Sequence, residues 1–254
     1  MWPKIGGLEV YTLFYTIGIA AHFGVSLNLC RRMSIRRGVG IVISVCYAFG
    51  MAVGARILYD VLEYRFDIRN YLHLDYYFTD GLWGGPLAYL MVAVPFALLY
   101  GDDRRKLLDF TVLTLPLPMI LAKIACFVNG CCYGLPCAWP WCLASVEGAG
   151  APAGVPRHPT QLYEIAVLAV IFLVFGLLNR RRWQGMLVFW FLLLYGLGRP
   201  LTEVFRMPDI RRPTAGFLTT SQAVCLAGAL IAAAALLLSE RRRHKTPSPA
   251  LSMP

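Results

Sequence analysis

"KIACFVNGCCYGLPC", residues 123–137, poses the question on which the fold turns. An apolar run carries Lys123, breaks at the turn dipeptide Asn129-Gly130, and continues into paired cysteines. A lysine in such a run belongs either to a soluble core or to a membrane helix that ends nearby. The surrounding sequence decides for the membrane. The run closes an apolar stretch at 107–129, and six more lie at about 10–30, 39–62, 81–100, 161–178, 185–205 and 217–238. Crossing about 30 Å of hydrocarbon takes about 20 such residues. The chain is 58% hydrophobic and 15% charged, against about 45–50% and 25% for a soluble domain. The expectation is therefore an all-α integral membrane protein, a single membrane domain over 1–254 with seven transmembrane helices and an outer loop at 130–160. No small-residue cleavage site follows the first stretch, so it reads as an uncleaved helix rather than a signal peptide.

The basic residues alternate between loops. Arg31, Arg32, Arg36 and Arg37 follow the first stretch, Arg104, Arg105 and Lys106 the third, Arg180, Arg181 and Arg182 the fifth, and Arg241, Arg242, Arg243 and Lys245 the seventh. These positions hold 14 of the 24 Lys and Arg. The intervening loops hold seven: Lys4, Arg65, Arg69, Arg157, Arg206, Arg211 and Arg212. The positive-inside rule then puts the N-terminus outside and the C-terminus in the cytoplasm. The net charge of +10 reads as anchoring to anionic headgroups, not as a nucleic-acid surface.

Three basic residues, Arg56, Lys123 and Arg199, fall within the apolar stretches. A charge costs about 2.5–3.5 kcal/mol at a helix centre on insertion scales, so its depth matters. All three stand near the outer ends of outward-running stretches, and "DGLWGG" (80–85) and "HPTQLYE" (158–164) begin the inward-running ones at that level. Tyr195, Arg199 and Glu203 recur every four residues and share a helix face. Arg56 with Asp60, and Gln161 with Glu164, have spacings that allow side-chain pairing. Gly84-Gly85 offers bare backbone N–H groups to an anion. His158 is a candidate proton acceptor, histidine being the residue type suited to that role near neutral pH, or a helix cap, and His22, mid-stretch, reads as a packing residue. Cys131, Cys132, Cys137 and Cys142 fall in a loop expected to face an oxidising space. Disulfides joining Cys131 or Cys132 to Cys137 or Cys142 are the leading expectation, although spacing does not fix the pairs. A zinc site lacks histidines at useful spacing, and a redox-active thiol pair is the remaining alternative.

"AKIACFVNGCCYG", "RHPTQLYE" and "YGLGRPLTEVFRMPD", with "VYTLFYTIG" (10–18) and "GARILYD" (54–60), resemble the phosphatidylglycerol–prolipoprotein diacylglyceryl transferases from about residue 5 to 240. The resemblance implies transfer of a diacylglyceryl group from phosphatidylglycerol, or a similar anionic phospholipid, to the thiol of a lipobox cysteine in a lipoprotein precursor. A thioether forms and glycerol phosphate leaves, without cofactor or metal. It also implies the bacterial cytoplasmic (inner) membrane, with the active site toward the outer half. Tyr11, Asn129, Gly130, Glu164, Tyr195, Arg199 and Glu203 match the family's functional positions. The expected catalytic group is Arg199, Glu203, Tyr195 and His158. The expected substrate-binding group is Lys123, Asn129, Gly130, Gly84, Gly85, Tyr11, Arg56, Gln161 and Glu164. The family has arginine where Lys123 stands, and its well-studied members have histidine where Trp83 stands. The alternatives are a transferase of this type with another acceptor, or a non-catalytic lipid-binding or transport protein of the same fold.

Overall fold

The apolar runs fold as helices wherever proline, glycine or a polar turn does not interrupt them. The structure, a computed structural model, describes residues 4–5, 8–62, 67–69, 85–100, 103–144, 154–178, 183–207, 214–215 and 218–245. The helices are α1 Val10–Met33, α2 Arg37–Phe49, α3 Ala55–Leu62, α4 Gly85–Tyr100, α5 Arg104–Leu113, α6 Pro116–Val128, α7 Thr160–Leu177, α8 Leu187–Val204 and α9 Thr220–Lys245. A π-helical turn over Gly50–Gly54 joins α2 to α3. Three two-residue antiparallel hairpins complete the description: β1 Lys4–Ile5 with β2 Leu8–Glu9, β3 Leu143–Ala144 with β4 Pro156–Arg157, and β5 Thr214–Ala215 with β6 Leu218–Thr219.

Among the described residues, six helical runs are long and apolar enough to cross a membrane: Thr12–Met33, Arg37–Ile57, Arg104–Val128, Thr160–Leu177, Leu187–Val204 and Thr220–Arg241. Helix α4 is shorter, and its 16 residues span about 24 Å at 1.5 Å per residue. The expected start of that stretch at 81 lies outside the described residues. The stretch expected at 107–129 begins earlier, at Arg104, because Asp103 caps α5 by accepting from Lys106 N at 3.2 Å. It breaks at Thr114–Leu115, after which Pro116, which has no N–H to satisfy, opens α6. Leu99, Leu177, Leu201, Leu230 and Leu237 are 63–86% exposed. So apolar an exterior suits lipid rather than water.

Tyr47, Tyr89, Phe110, Leu168, Ile171 and Phe191 are buried inside. His22 joins them, as a packing residue should: its ring stacks on Tyr47 at 4.0 Å and its Nδ1 lies 3.2 Å from Ser44 Oγ. Helix α1 packs on α6, α6 on α7, α7 on α8 and α8 on α9. Helix α8 is held closely by two glycines. A Cβ on Gly196 would lie 2.6 Å from the Cys225 carbonyl oxygen of α9, and one on Gly198 would lie 2.5 Å from Val167 of α7. Small residues let helix backbones approach in lipid, where dispersion contacts replace the hydrophobic drive. This fixes the rotation of α8 one residue before Arg199. The start of α8 is held from α5, where Asp109 accepts from Gly185 N at 2.8 Å and Leu187 N at 3.0 Å.

Candidate active site

Helices α6, α7 and α8 alternate in direction, so the end of α6, the start of α7 and the end of α8 meet at one level. Asn129-Gly130 ends α6 in a Schellman closure. Gly130 N donates to Phe127 O and Cys131 N to Cys126 O, both at 3.1 Å, while Gly130 takes φ +69°, which a residue without Cβ adopts freely. The chain then runs as a strap between the ends of α7 and α8. Gly134 N and His158 N exchange bonds with His158 O and Leu135 O, Leu135 N donates to Phe205 O at 2.8 Å, and Met207 N donates to Tyr133 O at 3.1 Å. Side chains from the 157–161 segment grip the same strap. Thr160 Oγ1 donates to Cys132 O at 2.6 Å, Gln161 Nε2 to Cys131 O at 2.5 Å and Arg157 Nη1 to Gly134 O at 3.2 Å.

Beneath the strap lies a row of buried charges. Lys123 Nζ is 2.7 Å from Glu164 Oε2, and Arg199 Nη1 is 3.2 Å from Glu164 Oε1. Arg199 Nη1 also meets Glu203 Oε2 at 2.5 Å, and Arg206 Nη1 lies 3.7 Å from the same oxygen. Glu164, Arg199 and Glu203 side chains are 2–4% exposed, whereas Lys123 and Arg206 at the two ends are 17% and 15% exposed. Among the described residues, three cations thus face two carboxylates, one positive charge in excess of the carboxylates. Burial works against the charge on Arg206, but Cys132, Glu203 and Glu164 outweigh it and raise its pKa. Hydrogen bonds from the Cys126 and Cys131 thiols hold the Cys132 thiol well below its usual range, and Arg206 and Lys123 reinforce this. Asn129 is 3% exposed, and its Oδ1 has no hydrogen-bond partner among the described residues.

The structure sorts the expected residues. Lys123, Glu164, Arg199 and Glu203 form the row, and Tyr195 stands one helical turn before Arg199, stacked on Phe191 at 5.5 Å. Asn129 and Gly130 form the turn above. Gln161, expected on substrate, gives its amide N–H to the strap. His158, expected as a base, packs against Phe205 and brings Nδ1 within 3.1 Å of Tyr163 Oη, so it borders the strap, and no ion pair joins it to the row among the described residues. Arg56 pairs with Asp60 at 3.1 Å on α3. Gly85 is buried at the start of α4, while Gly84, Trp83 and the Tyr11 side chain lie outside the described residues. A disulfide forms among the four loop cysteines as expected, but the leading pairing is corrected. Cys137 bonds to Cys142, because the turn that brings Cys142 N to Trp139 O at 3.0 Å folds them together. The helix-end closure turns Cys131 and Cys132 toward Cys126 instead, and all three stay free. Arg206 was missed as a site residue, although its three-residue spacing from Glu203 was a usable signal.

The family model described as prolipoprotein diacylglyceryl transferase matches residues 3–238. The chain is 34% identical to the phosphatidylglycerol–prolipoprotein diacylglyceryl transferase of Geobacter sulfurreducens over 81% of each chain. It is 31% identical to that of Coxiella burnetii over 95% of each. It is 30% identical to that of Methylococcus capsulatus over 94% of this chain and 95% of the relative.

Proposed function

The chain belongs to the prolipoprotein diacylglyceryl transferase family, and we propose that it transfers the diacylglyceryl group of phosphatidylglycerol to the thiol of a lipobox cysteine in a lipoprotein precursor. The sulfur–carbon bond of a thioether forms, the carbon–oxygen bond to phosphate breaks, and glycerol phosphate leaves with the charge. The observation that carries this reading is the buried row with its surplus cation. A phosphodiester supplies the missing negative charge, and the leaving phosphate gathers more as the bond breaks. Cations fixed in a low-dielectric site oppose that build-up most strongly in the transition state.

In this reading Arg199 is the principal phosphate ligand, and Lys123 and Arg206 supply charge from the more open ends of the row. Glu164 and Glu203 hold the cations in place, and Tyr195 borders the phosphate. Asn129 Oδ1 accepts a hydrogen bond from a headgroup hydroxyl, which gives a buried acceptor its donor. The Gly130 turn gives the headgroup close access to backbone. Tyr11, Gly84, Gly85 and Arg56 contact the lipid around this centre, and Gln161 acts through the strap. His158 receives the acceptor's thiol proton. Seven helices span the inner membrane, with α4 as the short one, the N-terminus outside, the C-terminus in the cytoplasm and the row in the outer half.

The test is purified protein with radiolabelled phosphatidylglycerol and a lipobox peptide. The expected product is a labelled thioether with release of glycerol phosphate, and a peptide with serine for cysteine should yield none. Binding of phosphatidylglycerol without turnover would sink the transferase reading. For the topology, reporter fusions at residue 182 should behave as cytoplasmic and those at residue 150 as external.

A further inference from the structure

Three of the free thiols gather where α6 ends, outside the ion pairs of the row. The Sγ atoms of Cys126, Cys131 and Cys132 all lie within 4.8 Å of one another, and none is in a disulfide. From this juxtaposition we propose that they form a tridentate thiolate site for a soft divalent cation of the zinc class, with water in the fourth position.

Geometry carries the argument. In a tetrahedral zinc thiolate the Zn–S distance of about 2.3 Å sets sulfurs about 3.8 Å apart. The three sulfurs therefore lie no more than about 1 Å beyond that spacing, a distance that side-chain rotation covers. The backbone bearing them is fixed. Cys126 lies in the last turn of α6, and Cys131 is tied back to it, N to carbonyl oxygen, at 3.1 Å. Gln161 and Thr160 of α7 hold the Cys131 and Cys132 carbonyls. Cys132 takes φ +61°, a left-handed conformation that costs a residue with a Cβ about 1–2 kcal/mol. The clamps on both sides of the strap hold it there. Ligands held in advance by their support lose little freedom on binding metal.

Charge and chemistry agree. Three thiolates around one divalent ion carry a net formal charge of −1. That offsets the surplus positive charge of the neighbouring row, to which Lys123 belongs three residues before Cys126. Thiolate ligands select soft and borderline ions over magnesium or calcium, and three protein ligands with an open fourth position is an arrangement zinc accepts. The site is hidden in the sequence because it has neither histidine ligands nor zinc-finger spacing. Here the helix-end closure, rather than a two-residue spacer, brings residue 126 to residues 131 and 132.

The experiment is cadmium titration of the full chain in detergent, after reduction and removal of reductant, followed by thiolate-to-metal charge-transfer absorption. We expect one cadmium per chain, displaced by zinc and unaffected by magnesium. Each of Cys126→Ser, Cys131→Ser and Cys132→Ser should weaken binding by at least about 100-fold, the upper end of the loss seen for outer-shell partners alone. The Cys137→Ser/Cys142→Ser double variant should bind as wild type does. Absence of the band in wild type with these three thiols free would overturn the proposal, as would its survival in the triple serine variant. A disulfide among the three in protein taken directly from the membrane would also overturn it, by showing that the cluster is a redox pair instead.

Discussion

Two buried carboxylates, Asp109 and Glu164, serve opposite ends of the helix stack in different ways. Asp109 lies in α5 against the start of α8, and Arg199, a partner of Glu164, stands 12 residues past Leu187, about 18 Å further along α8. Asp109 accepts from two backbone N–H groups at the start of α8. Those donors are neutral dipoles, and through them the acid joins two helices. Glu164 is met by Lys123 and Arg199, and the row continues through Glu203 to Arg206. Side-chain cations stabilise an acid too, but they bring whole charges, and here one is left over. A polar group that serves the fold can close on the backbone; one that serves an anionic substrate has to leave charge uncompensated.

The largest effect should come from Arg199→Ala. It removes the cation shared by Glu164 and Glu203, and losing one member of a buried ion pair costs about 3–5 kcal/mol. Turnover of phosphatidylglycerol should be abolished as well. Arg199→Lys keeps the charge but loses the planar fork, so stability should largely recover while turnover stays well below wild type. Melting in detergent and labelled-lipid assays, run on the same preparations, separate the two. Normal turnover in folded Arg199→Ala would erase the functional half of the comparison.

Asp109→Ala should have a smaller effect of a different kind. The backbone N–H groups of Gly185 and Leu187 lose a buried acceptor, which costs about 1–3 kcal/mol. Turnover per folded molecule should not change, because the row stands at the other end of the stack. Melting temperature against specific activity is again the measurement. A fall in specific activity beyond the loss of folded protein would show that the two ends are coupled through α8.

Most of the fold was legible because lipid allows few solutions. Apolar runs near 20 residues must be helical to satisfy their own backbone, and their bounds in the structure mostly fall within a few residues of those expected. The deviations have local causes: Asp103 starts the Arg104–Val128 run early, and Pro116 divides it. The row was half legible. The i, i+4 spacing of Arg199 and Glu203 put both on one face, and the shared depth of Lys123 and Glu164 brought them to one level. What the sequence did not reveal came from contacts between distant segments. Nothing near Gln161 announces that its amide will reach a carbonyl 30 residues away. Nor does cysteine spacing tell Cys137–Cys142 from the pairs that were favoured, because the choice rests on how the strap leaves α6.

The smallest expected effect, and the finest test of the comparison, is Lys123→Arg. The charge is conserved, so the ion pair with Glu164 and the surplus of the row both persist, and stability should stay within about 0.5 kcal/mol. What changes is shape. The ammonium is a point charge 2.7 Å from one carboxylate oxygen, whereas a guanidinium presents parallel donors that meet a carboxylate or a phosphate two at a time. At 17% exposure Lys123 stands at an open end of the row, so the longer side chain can extend without entering the packed interior. The KM for phosphatidylglycerol should fall or hold, with kcat within about threefold of wild type. Lys123→Met is the counterpart: it cancels the surplus charge and should raise KM sharply. Kinetics across a range of phosphatidylglycerol mole fractions in mixed micelles distinguish them. A tenfold loss of kcat in Lys123→Arg, about 1.4 kcal/mol of barrier, would mean that the compact ammonium meets the phosphate directly, and that the surplus is a placed charge rather than a diffuse field.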